Sequence, residues 1–202
     1  SVVHNGVDLE TLDREYMEFA NDIQECNDTA LFAGRLFWAK GALHVIELAR
    51  LLEKRAPDFN IIVHGEGPLY MKMRKRIQSL GLHNTTMKGF SGRRELLRSM
   101  KNSKFVIVPS LHDACPMVLL ESMCLGKIPV MFRLPFSLEL TENGKYGILG
   151  ASLPDMANKL TVVHAQMDLA AFGRRIKHFA RREYDIKRTC LSYVDLYREM
   201  CR

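Results

Sequence analysis

Residues 104–132 read KFVIVPSLHDACPMVLLESMCLGKIPVMF. KFVIVPS (104–110) is a short valine- and isoleucine-rich run with a proline near its end, which predicts a buried strand. A helix is predicted to begin near Pro116, because proline is favoured at the first helical position, and to end by Gly126. KIPVMF (127–132) returns to strand character, completing a strand–helix–strand unit. The same rhythm runs upstream. TALFAG (29–34) predicts a strand, and from Gly41 a helix carries Ala42, Val45, Ile46, Ala49 and Leu52 at helical spacing. FNIIVHG (59–65) predicts a second strand, followed by a helix with Leu69, Met73, Ile77 and Leu80 on one face. TTMKG (85–89) is a short third strand, with a helix around Arg94 to Asn102 after it. Such alternation implies right-handed crossovers, and so an α/β fold with a parallel sheet covered on both faces. Ligands of such sheets bind beyond the carboxyl ends of the strands.

The last fifty residues read as helices, most clearly YDIKRTCLSYVDLYREM (184–200), and the first 28 as an extended piece, an NGVD turn and a helical or irregular connection. With 202 residues the chain is long enough for one full domain and short for two. Its 47% hydrophobic and 26% charged content is that of a soluble globular protein, and no apolar run approaches a membrane span. SVVHNGVDLE lacks the charged and apolar regions of a signal peptide. The five cysteines (26, 115, 124, 190 and 201) are odd in number and form no CxxC pair, which disfavours a disulfide framework or zinc site and predicts a cytoplasmic setting. A net charge of +6 points weakly to an anionic partner. Nucleic acid is disfavoured because the basic run 173–188 lacks interleaved aromatics, and its plainer reading is solvated helix faces with Ile176, Phe179 and Ala180 inward. Peripheral contact with a membrane stays open on charge alone. No DxD pair occurs, so no bound metal is expected.

The chemistry concentrates in three turns. A helix opening at Pro116 would present the backbone N–H groups of Met117 and Val118 as an anion site. Glu121, emerging from the apolar run 117–120, leans toward the same mouth. A carboxylate there would repel a phosphate, so a pair of hydroxyls, such as the 2′ and 3′ hydroxyls of a ribose, suits it better. The plainer alternative is a helix glutamate complementing the macrodipole, with Asp113 a loop residue. In GRLFWAKG (34–41), Lys40 precedes a helix, where a cation opposes the dipole unless an anion lies between. Arg35 and Lys40 would clamp a diphosphate together, or are two solvated basic residues. HGEGP (64–68) carries Gly65 and Gly67 in a strand-to-helix turn but is not GxGxxG, which disfavours a nicotinamide cofactor. His112 is assigned no catalytic role, and Cys115 reads as a small buried filler.

In this order NGVD, GRLFWAKG, GEGP, MKGF and PSLHDACPMVLLESMCLGKIPV resemble the nucleotide-sugar-dependent, retaining glycosyltransferases of the GT-B fold. This group includes many mannosyl-, glucosyl- and N-acetylglucosaminyltransferases. The segment 109–130 resembles the family's E-x7-E signature, with Asp113 in place of the first glutamate and Pro116 where many members have glycine. The resemblance implies a Rossmann-like domain at 29–183, one half of a GT-B fold, preceded by an interdomain connection at 1–28 and followed by a C-terminal helix at 184–202. It implies that Arg35 and Lys40 bind the diphosphate, Glu121 the ribose hydroxyls and Asp113 hydroxyls of the transferred hexose. Met117 and Val118 would give N–H groups to the distal phosphate. Gly34, Gly65 and Gly67 would line the donor site, and the turn at Gly89, Phe90 and Ser91 would contact the base.

No cofactor beyond the nucleotide sugar and no metal is implied. The acceptor-binding domain would lie in a longer enzyme, of which this chain is a piece, or on a partner chain. The final helix of the family packs onto that domain. Two rival readings are a GT-B nucleotide-sugar epimerase and a non-catalytic nucleotide-sugar-binding subunit. The expected location is cytoplasmic, with peripheral contact at the inner face of the membrane left open.

Overall fold

A computed structural model describes residues 3–19 and 26–201. In chain order they form α1 (Leu9–Met17), β1 (Cys26–Ala33), a 3₁₀ turn (Trp38–Lys40), α2 (Ala42–Glu53), β2 (Asn60–His64) and α3 (Tyr70–Leu80). Then come β3 (Thr85–Gly89), α4 (Arg93–Lys101), β4 (Ser103–Val108), α5 (Met117–Cys124), β5 (Ile128–Phe132) and α6 (Pro135–Leu140). The chain continues through β6 (Ile148–Gly150), α7 (Leu153–Gln166), α8 (Leu169–Glu183) and α9 (Ile186–Met200). Ser1, Val2 and part of the connection expected before residue 28 lie outside the described residues.

The six strands form one sheet in the order β3-β2-β1-β4-β5-β6, and every pairing is parallel. Ala30 pairs with Ile61 on one side and with Phe105 on the other. This is a doubly wound arrangement, with the parallel sheet expected from the alternation and the Rossmann-like form implied by the resemblance. From β1 the chain winds outward through β2 and β3, then returns to β4 and winds the other way. Right-handed crossovers therefore put α2 and α3 on one face and α5 on the other. The winding reverses between β1 and β4, where the loops after Ala33 and Val108 diverge and leave a crevice.

Burial explains the sequence patterns. All six residues of β4 are buried, as a strand covered on both faces requires. In α2 the predicted stripe of Ala42, Val45, Ile46, Ala49 and Leu52 is fully buried, whereas Glu47 turns outward to Arg50 and Arg76. Helix α5 buries Leu119, Leu120, Met123 and Cys124, and packs against α8. In α8, Ile176, Phe179 and Ala180 face inward as expected, while Arg181 reaches Asp13 of α1 at 2.8 and 2.5 Å.

The lead-in segment is knitted to the other end of the chain. Val7 bridges Asp185, donating its N–H to the Tyr184 carbonyl at 2.7 Å and accepting from Ile186 at 3.0 Å. Asp8 caps α1 through the Thr11 N–H at 3.0 Å. Helix α9 leaves Leu191, Tyr193, Val194, Tyr197 and Met200 exposed. Among the described residues no helix is long and apolar enough to cross a membrane.

Candidate functional site

Two adjoining cavities occupy the crevice at the reversal point. One, of about 330 Å³, lies beyond β1 and β2 and is lined by Gly34, Arg35, His64, Gly65, Phe90 and Ser91 among others. The other, of about 220 Å³, lies beyond β1 and β4 and is lined by Gly34, Lys40, Ser110, Asp113, Met117 and Val118 among others. Ala33 and Gly34, the last residue of β1 and its successor, belong to both. A larger cavity of about 780 Å³, which shares no lining residue with them, lies against α4 with Lys88, Arg94 and Arg98 on its walls.

In the smaller cavity the structure adds a pairing that residue types alone do not reveal. Lys40 closes the 3₁₀ turn ahead of α2, and its ammonium is bonded to the Asp113 carboxylate. The aspartate side chain is only 12% exposed and the lysine 33%, so the pair compensates a nearly buried anion. Pro116 is the N-cap of α5 (φ −66°, ψ 119°) and not its first helical residue. Its carbonyl accepts from Leu119 and Leu120, at 3.0 and 3.3 Å. Met117 and Val118 are thus the first two helical residues, and their N–H groups have no partner one turn back.

Glu121, one turn further along α5, is 15% exposed and is held by a residue absent from the sequence expectations. One terminal nitrogen of Arg93, Nη1, donates to both of its carboxylate oxygens, each at 2.7 Å. The Nε of the same guanidinium donates to Glu15 of α1 at 3.0 Å. Burial disfavours the charged arginine, but its bonds to Glu121 and Glu15 outweigh that and raise its pKa. Arg93 opens α4, so three helices meet at one cation. Glu121 itself is not among the residues lining either cavity.

In the larger cavity of the pair, Arg35 is exposed, with its guanidinium 5.8 Å from the centre of the Phe37 ring. It stands on the β2 side of Gly34 and Lys40 on the β4 side, so the two cations flank the crevice from different cavities. Phe90 is 76% exposed at the rim. Ser91 is anchored by a residue not singled out from the sequence: His64, the last of β2, bonds its hydroxyl through Nδ1 at 2.5 Å and that of Ser99 through Nε2 at 2.8 Å. Burial, the largest influence on His64, lowers its pKa, and nearby Lys88 acts in the same direction against Glu95.

The two glycines of HGEGP have a packing explanation. Gly65 has φ +142°, and a Cβ there would lie 1.9 Å from the Gly34 carbonyl oxygen. A Cβ on Gly67 would meet the Leu36 oxygen at 2.5 Å. Bare backbone at both positions lets the loop after β2 lie directly on the loop after β1. Gly65 lines a cavity and Gly67 does not. His112 is exposed, its ring edge-on to Trp38 at 5.7 Å. Burial pushes the Cys115 thiol up, in keeping with a packing role. Among the described residues no group of three or more His, Cys, Asp or Glu side chains could hold a metal ion.

The profile of the family described as "Glycosyl transferases group 1" matches residues 13–161. The chain belongs to that family. This group 1 chain is 26% identical over 207 residues to a GDP-mannose:cellobiosyl-diphosphopolyprenol alpha-mannosyltransferase of Xanthomonas oryzae pv. oryzae, covering 98% of this chain and 52% of the relative. It is 28% identical over 131 residues to an alpha-D-kanosaminyltransferase of Streptomyces kanamyceticus, covering 63% of this chain and 34% of the relative. It thus spans about half the length of the first relative and about a third of the second. Among solved structures, Anabaena Alr3699/HepE in complex with UDP and glucose superposes with a TM-score of 0.81 at 19% identity, over 98% of this chain and 57% of that one. The pneumococcal O-GlcNAc transferase GtfA in complex with UDP and GlcNAc superposes with a TM-score of 0.77 at 15% identity, over 99% of this chain and 38% of that one. The fold of the group 1 chain is therefore one Rossmann-like unit of a GT-B glycosyltransferase.

Proposed function

We propose that this chain is the donor-binding part of a glycosyltransferase that moves a hexose from a nucleoside diphosphate sugar to an acceptor, with retention at the anomeric carbon. The observation that carries the reading is the crevice at the β1/β4 reversal. There Lys40, Asp113 and the open N-terminus of α5 meet in one cavity that adjoins, through Gly34, a second cavity at Arg35, Phe90 and Ser91. Cavities of about 330 and 220 Å³ together match the size of a site for an elongated small molecule. A base against Phe90 and Ser91 would fill one cavity and a diphosphate between Arg35, Lys40 and the Met117 and Val118 N–H groups would reach into the other, with the ribose turned toward Glu121, which lines neither. Asp113, released by Lys40, would then accept from hydroxyls of the hexose.

The chemistry asked of these groups is stabilisation of the leaving diphosphate. As the glycosidic bond breaks, negative charge grows on the phosphate oxygen, and fixed cations and a helix N-terminus lower the energy of that state. The relatives' names support a hexose donor, and two of the superposed structures contain UDP. On this reading residues 29–183 form the donor-binding unit. The acceptor site would lie on a further domain or a partner chain.

The test has two arms. Calorimetric titration of the chain with UDP and GDP should give saturable binding of one of them. The full-length gene product, given the matching sugar nucleotide and an acceptor extract, should yield a glycoside whose anomeric configuration, read by NMR, equals that of the donor. Accumulation of an epimerised donor, or binding without turnover in the presence of acceptor, would overturn the proposal in favour of the epimerase or the non-catalytic subunit.

A further inference from the structure

Arginine is poorly placed at the start of a helix, where the free N–H groups already carry positive potential. Arg93 nevertheless occupies the first position of α4, directly after its N-cap Gly92 and two residues past Ser91 of the cavity beyond β1 and β2. Two carboxylates from different helices compensate it, Glu121 of α5 and Glu15 of α1. The geometry toward Glu121 is specific. Nη1 is 2.7 Å from each carboxylate oxygen, so it lies between them and fills the two acceptor positions that converge in front of the group. The other acceptor positions lie on opposite edges of the carboxylate. A vicinal diol, whose hydroxyls sit side by side, reaches both oxygens only from the front. Arg93 and a ribose diol therefore need the same two positions.

We infer that Arg93 is a displaceable competitor of the ribose: a 2′,3′-diol takes Glu121 only by moving Nη1 off it, and the arginine then falls back on Glu15. This rests on the reading of Glu121 as the ribose acceptor given under Proposed function. Both sides of the exchange keep their partners. The Arg93 side chain is 42% exposed, so a released guanidinium reaches water, and its Nε already donates to Glu15 at 3.0 Å. Glu121, 15% exposed, is a carboxylate that needs donors, and the diol supplies two. A 2′-deoxyribose has one hydroxyl there, cannot cover both oxygens, and leaves the arginine in place. What the diol gains on Glu121 is therefore offset by the contact that Arg93 gives up, and the arginine narrows the preference for ribose over 2′-deoxyribose.

The experiment measures dissociation constants for UDP and GDP and for their 2′-deoxy forms, with the unsubstituted chain and three variants. The readout is the ratio of the 2′-deoxy to the ribonucleotide constant, which should exceed unity in the unsubstituted chain. In Arg93→Ala the ratio should rise by about 2- to 5-fold, the worth of a part-exposed ion pair. The lost cation weakens both nucleotides alike through their diphosphate, so that effect cancels in the ratio. Arg93→Lys keeps the charge but not the guanidinium's reach, and should raise the ratio less. It carries the test if Arg93→Ala does not fold, as melting would show. In Glu121→Ala the ratio should fall to within about twofold of unity. If Glu121→Ala collapses the ratio but neither arginine variant that folds raises it, Arg93 is a structural ion pair or a support for the carboxylate, and the inference fails alone. Retention of the ratio in Glu121→Ala, or no saturable binding of either nucleotide by the unsubstituted chain, defeats the reading of the site and this inference with it.

Discussion

Replacing Asp113 by asparagine and Lys40 by methionine removes the two halves of one ion pair, and the effects on diphosphate binding should have opposite signs. In the free protein the lysine is already engaged by the aspartate, so an incoming diphosphate competes for it. Lys40 is 33% exposed, which places its share of the pair near the range of accessible ion pairs, about 0.5–1 kcal/mol. Asp113→Asn removes that competitor and one negative charge facing the phosphates. UDP or GDP, whichever the chain binds, should then bind about 2- to 5-fold more tightly. Lys40→Met removes the cation itself, worth about 1.5–3 kcal/mol to a phosphate oxygen, so affinity should fall by at least about tenfold. Stability runs differently. Lys40→Met strands a carboxylate only 12% exposed, whereas Asp113→Asn leaves an ammonium that still reaches water. The lysine variant should lose about 1–2 kcal/mol and the aspartate variant less, because the nearby α5 N-terminus offsets part of the stranded charge. Calorimetric titration gives the affinities, and urea denaturation of the same samples gives the stabilities. A loss of diphosphate affinity in Asp113→Asn as large as that in Lys40→Met would refute the reasoning, since the pair would then act as one preassembled binding element.

Phe90→Ala should leave stability within about 0.5 kcal/mol because the ring is 76% exposed, yet weaken nucleotide binding by roughly the 1–3 kcal/mol of one base–aromatic stack, as titration and melting together would show. Gly65→Ala should cost at least about 2 kcal/mol in urea denaturation, because its Cβ would meet the Gly34 carbonyl at 1.9 Å; a loss under about 0.5 kcal/mol would mean the two loops are not packed as described. His64, whose pKa burial lowers, binds its proton less readily in the fold than in the unfolded chain. Its contribution to stability is therefore complete above the ordinary histidine pKa of about 6.5 and is lost as pH falls toward the depressed value, and His64→Gln should flatten that part of a stability–pH profile.

The strands and helices from β1 to β5 follow from local pattern because most are long enough to show their period, whereas α1 lies in the lead-in, which reads as a helical or irregular connection. β3 occupies the residues expected of it, 85–89, and the buried stripe of α2 is the one the spacing names. β6 is different. It has three residues, Ile148–Gly150, too few for any period, and it exists through its pairing with β5 and the close approach of Gly150 to Met156. The location of the candidate site is also readable in advance, since a doubly wound sheet brings the loops after its strands to one edge. The partners within it are not, because Lys40 and Asp113 lie 73 residues apart and their contact depends on how two loops leave β1 and β4.

Arg93 shows what further signal was present. The sequence reading places this helix around Arg94 and does not single out Arg93, the residue that binds Glu121. The phase of the helix separates the two. Leu97 and Met100 are buried, and Arg93, four and seven residues before them, lies closer to their stripe than Arg94, three and six before them. An arginine in phase with the core of a helix must either leave that face or find an anion on it. Glu121, a carboxylate emerging from the apolar run of another helix, poses the complementary demand. Each group taken alone reads as an ordinary solvated charge, and only the two demands together, one from the phase of α4 and one from the burial of α5, identify the pair.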